Sequence, residues 1–151
     1  MPVPASAIGV ESPSLEVQVD RSQLKLFAKA VGITAPENTD LEAARAAGFP
    51  DLLIPPTFLF GLELQQPNPF GWMADFGIDL RFVLHGSQSF DFHAPAFAGD
   101  ALQVRGRIVS VEEKKGGALE LINRESKVTR GDEPIVTLTS TVVVRHPENA
   151  A

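Results

Sequence analysis

Three polar side chains stand where they could move protons. His85 falls in a predicted strand beside Gly86, where the missing Cβ lets backbone approach a ligand closely. Glu63 lies in an otherwise apolar segment, and Asp75 lies in a loop. An imidazole or carboxylate with a perturbed pKa can act as a general acid or base. Each residue is therefore a candidate, although a histidine hydrogen-bonded across a sheet or a carboxylate paired with an arginine is the commoner outcome.

A second group of candidates is large and apolar, and it is concentrated between residues 58 and 82. Such side chains either fill a core or line a tunnel, which is a core left partly empty. Phe60 and Trp72 are preferred, because a tryptophan in the loop predicted over residues 66–77 has less reason to be buried by core packing alone. The candidate binding residues are Thr57, Phe58, Phe60, Trp72, Phe76, His85 and Gly86.

Composition excludes several functional classes. The chain has 151 residues, a formal net charge of −6, three histidines and no cysteine. A thiol nucleophile and a disulfide are excluded, and three scattered histidines do not predict a metal site. The charge gives no basic face for nucleic acid or anionic lipid. Because no long apolar run or secretory signal is present, we expect a cytoplasmic protein without a membrane span.

Helix signals dominate the first half of the chain. A capping pattern begins at Asp20, and Gly32 is placed to end the helix that follows. A capping box that begins at Thr39 predicts a short helix over residues 40–47. The apolar run 58–64 follows two prolines, which a first helical turn tolerates, and it predicts a buried helix.

From residue 81 the apolar residues alternate with polar ones, which predicts β-strands. The first of these is a long, bulged strand over residues 82–92, and turn signals separate it from about three more. With one short strand before the helices, the fold class is α+β, an antiparallel sheet wrapped around a central helix. We assign residues 1–14 to a flexible lead-in, 15–146 to one domain and 147–151 to a polar tail.

Four segments resemble, in order, motifs of the MaoC-like hydratases, a family with the hotdog fold. Residues 32–49 are similar to the pattern G-D-x-N-P-x-H-x-D-x-x-x-A-R-x-x-G-F, and residues 54–58 (I-P-P-T-F) to the opening of the central helix. Residues 84–88 match the strand motif L-H-G-x-Q, and residues 92–100 resemble an aromatic–P–x-x–A-G-D segment. On these motifs the chain is identified as a member of the family over residues 19–144.

The resemblance implies a single hotdog domain that acts on thioesters of coenzyme A or acyl carrier protein. The family adds water across a 2,3-double bond, or removes it from a 3-hydroxyacyl group. An Asp and a His of the first motif shuttle protons, and a backbone N–H at the central helix binds the thioester oxygen. Here those positions are Ile33, Asn38 and Pro56, of which the proline has no N–H to donate.

The departures imply a companion subunit that accommodates the acyl chain but lacks its own Asp/His dyad. It would form a homodimer, or a heterodimer with a catalytic hotdog subunit, and coenzyme A or acyl carrier protein would enter only as part of the substrate. Two alternatives stay open. The chain could be a self-sufficient enoyl-thioester hydratase that uses His85, Asp75 or Glu63, or a non-enzymatic hotdog module for ligand binding or interaction.

Overall fold

Five strands form one antiparallel sheet in the order β1-β3-β4-β5-β2 in the computed structural model, which describes residues 2–149. The strands are β1 (Leu15–Gln18), β2 (Val83–Phe92), β3 (Ala101–Lys114), β4 (Leu119–Arg130) and β5 (Glu133–Arg145). The helices are α1 (Arg21–Val31), α2 (Leu41–Ala46) and α3 (Gly71–Asp75), together with a 3-10 helix over Pro56–Gln65. This arrangement confirms the predicted α+β hotdog fold.

Helix α1 begins and ends where its capping residues predict. The Asp20 carboxylate accepts a hydrogen bond from the Ser22 N–H at 2.7 Å, and the Gln23 side chain completes the capping box. Gly32 adopts the left-handed conformation with φ of 76°, which only glycine enters at no steric cost. Arg21, the first residue of α1, also binds both carboxylate oxygens of Asp51 and so anchors the start of the helix. This interaction lowers the pKa of Asp51 to about 2.

Two local predictions in the helical half are wrong in detail. The cap of α2 is Asp40, whose carboxylate accepts from the Ala43 N–H at 2.8 Å, rather than Thr39. Asp caps a helix as well as Thr does, and the chain turns one residue later than expected. The predicted loop over residues 66–77 contains the short helix α3, in which Met73 is buried against the sheet.

The predicted buried helix is present as a 3-10 helix, here called the central helix (Pro56–Gln65). Its residues Phe58, Leu59 and Leu62 are buried, so the apolar run does face the core. A 3-10 helix rises about 2.0 Å per residue against 1.5 Å in an α-helix, and ten residues therefore cover about 20 Å of sheet. The side chains of this helix consequently reach two separate regions of the sheet's inner face.

The core consists of two apolar clusters on that inner face. The first includes Leu24, Leu52, Leu62, Val128 and Ile135, and it packs under α1 and the central helix. The second includes Met73, Ile78, Ile108, Ile122 and Val142, and it packs under α3. The two clusters are formed by successive stretches of the same strands. Within residues 2–149, no helix combines the length and the apolar character needed to cross a membrane.

Residues 3–12, here called the N-terminal strap, pack against the sheet although the sequence predicts a flexible lead-in. The Gly9 and Ser12 N–H groups donate to the carbonyls of Ile108 and Gly106 on β3, each at 2.8 Å. Val3 is buried in the second cluster. The backbone groups of β3 beyond β1 would otherwise lack partners, and the strap satisfies them.

His146, which directly follows β5, is buried. Its Nε2 lies 2.6 Å from Glu120 Oε2, and the other carboxylate oxygen of Glu120 accepts from the Val3 N–H at 2.8 Å. A buried carboxylate needs such partners, and the end of β5 and the N-terminal strap supply them. In the segment predicted to be a polar tail, residues 147–149 form a single 3-10 turn, and residues 150–151 lie outside the described residues.

Candidate functional site

The positions that the motif resemblance assigns to the family's proton-transfer residues hold Ile33 and Asn38, neither of which has an acid–base side chain. The Asn38 side chain is buried, and its Nδ2 donates to the Leu53 carbonyl at 2.8 Å. Ile33 is half-buried just beyond the end of α1. Pro56, at the start of the central helix, presents no N–H to a thioester oxygen. Asn38 thus acts as a structural tie between two loops.

An apolar groove of about 340 Å³ lies at this end of the central helix. His93 is its only titratable lining residue among those the structure describes, and its Nε2 lies 2.9 Å from Thr137 Oγ1. The His93 side chain is exposed. The groove residues are Leu53, Ile54, Pro56, Leu59, Phe92, His93, Ala94, Pro95 and Ala96.

A second opening of about 420 Å³, here called the aromatic cavity, lies at the other end of the central helix. It brings together three of the predicted binding residues, since Phe60, Trp72 and His85 all line it. The rings of Phe60 and His85 pack edge to face, with 5.3 Å between their centroids. The remaining lining residues are Glu63, Leu64, Pro69, Phe70, Met73, Leu80, Val83, Leu84, Arg124, Ser140 and Val142.

The other four predicted binding residues lie outside the aromatic cavity. Phe58 is buried in the first cluster, and Phe76 packs against the second. Thr57 is exposed on the first turn of the central helix. Gly86 sits at a bulge in β2, where a Cβ would lie 2.9 Å from Val143 Cγ2, so packing alone explains the glycine.

Glu63 is held by neighbouring side chains. Its Oε1 accepts from the Ser126 hydroxyl at 2.7 Å, and its Oε2 lies 3.4 Å from Arg124 Nη1. Arg124 also stacks on the Trp72 ring, with its Cζ 4.8 Å from the ring centroid, and donates to the Ser12 hydroxyl at 2.8 Å. The structure thus gives Glu63 the arginine partner expected of a structural carboxylate.

Of the remaining candidates, Asp75 is exposed on α3 and lines neither opening. The histidines and carboxylates of residues 2–149 do not gather in threes at a spacing that could hold a metal ion.

Arg124, Ser126 and Ser140 were not predicted from the sequence. A signal was present, because buried positions alternate along β4 and three of them, Glu120, Arg124 and Ser126, are polar. A polar residue at an inward position of a strand needs a partner from the element packed on it. For Arg124 and Ser126 that partner is Glu63.

Similarity to known proteins shows the family and the fold of the chain. A model of the FAS1-like, dehydratase domain region matches residues 6–138. A UPF0336 protein of Saccharopolyspora erythraea is 34% identical over 146 residues, which cover 96% of this chain and 93% of the relative.

Solved structures with the same fold include a chain of the C-terminally truncated HadBC (3R-hydroxyacyl-ACP dehydratase) complex of Mycobacterium tuberculosis. It has a TM-score of 0.75 at 29% identity and covers 91% of this chain and 96% of that chain. A MaoC-like dehydratase has a TM-score of 0.81 at 23% identity, over 95% of this chain and 43% of that chain, and supports the fold alone. The chain therefore belongs to the family of FAS1-like dehydratase domain regions, and it has the hotdog fold of the MaoC-like hydratases and dehydratases that its motifs resemble.

Proposed function

We propose that this chain is the companion subunit of an enoyl-thioester hydratase, or 3-hydroxyacyl-thioester dehydratase, that accommodates the acyl chain while a catalytic hotdog partner supplies the Asp/His dyad. One observation carries the proposal. The aromatic cavity is open beneath the central helix, whereas the positions matched to the family's proton-transfer residues hold Ile33 and Asn38, whose amide is hydrogen-bonded to the Leu53 carbonyl. The chain thus has space for an acyl chain but no acid–base side chains at the motif positions.

The aromatic cavity suits an acyl chain. Its volume of about 420 Å³ falls within the range of small-molecule pockets, and most of its lining is apolar. The cavity and the groove at Pro56 lie beside opposite ends of β2, about 20–25 Å apart along the strand. A long acyl chain held by a partner at the groove end could extend along this edge into the cavity. The thioester carrier, coenzyme A or acyl carrier protein, would stay outside as part of the substrate.

Shortening the aromatic side chains of the cavity is expected to change the acyl-chain preference of the assembled enzyme. In Phe60→Ala and Trp72→Ala, the ratio of kcat/KM for a long enoyl-CoA to that for crotonyl-CoA should shift by roughly tenfold, because apolar contacts with the distal chain are lost. Phe49→Ala is the matched control, since Phe49 packs on Phe97 away from the cavity. Ratios that stay equal to that of the unsubstituted protein would refute the role of the cavity.

The exposed edge of β2 supports a hotdog partner. Strand β2 pairs with β5 on one side and has no other neighbour among the described strands, whereas the N-terminal strap covers the edge of β3 beyond β1. Leu84 and Phe92 are more than half exposed along β2. An open apolar edge is a surface that proteins cover, and the HadBC relative is itself a complex.

Without a catalytic partner, we expect the chain to form a homodimer through β2. Leu84→Asp should convert it to a monomer at micromolar concentration, because a charge would be buried at the interface. Leu26→Asp is the matched control, since Leu26 is an exposed leucine on α1. Light scattering distinguishes the two states. An unsubstituted chain that is monomeric would contradict the proposal.

A further inference from the structure

A layer of polar side chains separates the two apolar clusters of the core. Across the sheet, Gln88 of β2 pairs with Ser140 of β5, and Ser140 pairs with Arg124 of β4. Ser126 occupies the next inward position of β4, and Glu63 reaches this row from the central helix. These five residues are here called the polar layer. Among the strand positions that the structure describes, the other fully buried polar side chain on the inner face is Glu120, near the start of β4.

The fold reserves space for the polar layer. Gly106 of β3 stands beside it, and a Cβ at this position would collide with Glu63 Oε1 and lie 2.7 Å from Arg124 Nη2. The residue on the neighbouring strand must therefore lack a side chain for the Glu63–Arg124 pair to fit. Burying the Glu63–Arg124 pair costs more desolvation free energy than burying apolar side chains of similar volume. We therefore expect the pair to have a function.

Three members of the polar layer, Glu63, Arg124 and Ser140, line the aromatic cavity. Gln88 does not line it, and its Oε1 atom is buried without a hydrogen-bond partner among residues 2–149. An unmodified alkyl chain in the cavity would lie against the Glu63, Arg124 and Ser140 side chains and strip water from them, which is unfavourable.

We propose that the aromatic cavity selects acyl chains that carry a hydroxyl group remote from the thioester, and that the polar layer binds this hydroxyl. The inference deepens the proposed function and rests on it. A hydroxyl both donates and accepts, so it can donate to the Glu63 carboxylate while accepting from the Arg124 guanidinium or the Ser140 hydroxyl. Arg124 and Glu63 neutralise each other as an ion pair, and the layer therefore favours a neutral substituent over a carboxylate.

Calorimetric titration of the full chain tests the inference. The probes are hexadecanoyl-CoA and its isomers with a hydroxyl at successive mid-chain carbons, each below its micelle concentration. At least one isomer should bind about tenfold more tightly than hexadecanoyl-CoA, as expected for one well-formed hydrogen bond to a polar or charged group. Phe60→Ala should weaken the binding of all probes alike, which places them in the cavity.

The variant Ser140→Ala tests the polar layer directly. It should reduce the ratio of the dissociation constant of hexadecanoyl-CoA to that of the best hydroxylated isomer by at least about threefold, because one hydrogen-bonding partner of the hydroxyl is lost. Ser89→Ala is the matched control, since Ser89 is exposed on the outer face of β2. Equal affinity for every isomer and the parent, or a ratio that Ser140→Ala leaves unchanged, would overturn the inference alone. Failure of all acyl probes to bind would contradict the proposed function itself.

Discussion

The purified chain alone is expected to hydrate crotonyl-CoA, and a longer enoyl-CoA, no faster than the uncatalysed background. Ile33 cannot titrate and the Asn38 amide is tied to the Leu53 carbonyl, so the general acid–base contribution of roughly a hundred- to ten-thousandfold is missing. Pro56 also removes an N–H donor to the thioester oxygen, a loss on the order of a hundredfold. A stopped assay at high protein concentration, with substrate loss followed by chromatography, measures the residual rate.

Activity should appear when the chain is purified together with a hotdog partner that carries an intact Asp/His pair. The alternative, a self-sufficient hydratase, makes an opposite prediction. His85 lies against Phe60 in the aromatic cavity and is the best-placed substitute base. Turnover by the chain alone that disappears in His85→Ala would establish that alternative and end the companion proposal.

Arg124→Met is expected to destabilise the protein by about 3 kcal/mol. The substitution leaves the Glu63 carboxylate without its cation in a site where the two side chains are only 17% and 11% exposed, and removing one partner of a buried pair typically costs 3–5 kcal/mol. The stacking of the guanidinium on Trp72 is lost as well. Urea unfolding gives the free-energy difference.

Two further variants separate the buried charge from a general effect of losing an arginine. Arg107→Met removes an arginine from an exposed pair with Glu125 and should cost less than about 1 kcal/mol. The double variant Glu63→Gln with Arg124→Met should recover much of the lost stability, because no unpaired charge then remains. Equal losses for Arg107→Met and Arg124→Met would show that the Glu63 pair is not a buried interaction.

Local signals predicted the elements of the fold well. The capping residues Asp20 and Gly32 set the ends of α1, because the backbone groups at a helix terminus need nearby partners. The alternation after residue 81 located β2 to β5, and the bulge in β2 is present between His85 and Ser87. The order of four motifs then selected the hotdog fold. Each of these features depends on residues close together in the chain.

Features that depend on distant partners were not predictable. His146 is buried beside Glu120, which it contacts through Nε2 and which also accepts a hydrogen bond from the Val3 N–H. The sequence around residue 146 does not indicate either of these distant residues. The same holds for Arg124, whose partner Glu63 lies 61 residues earlier. In the candidate site, the aromatic residues Phe60 and Trp72 could be selected from their type and their neighbours. The alternation along β4 marks Arg124 and Ser126 as inward positions, but their partner Glu63 and their neighbour Ser140 follow only from the packing and the strand register.

The N-terminal strap has a consequence for how the chain folds as it is made. Val3 and its acceptor Glu120 are 117 residues apart, and β1 pairs with β3, which begins at Ala101. At a synthesis rate of about 5–20 residues per second, the strap waits on the order of ten seconds before Glu120 has been synthesised. During that interval Val3, Val17 and Val19 have no sheet to pack against. The strap and β1 are thus synthesised before every strand they contact, and their packing must be completed after synthesis of the sheet rather than during it.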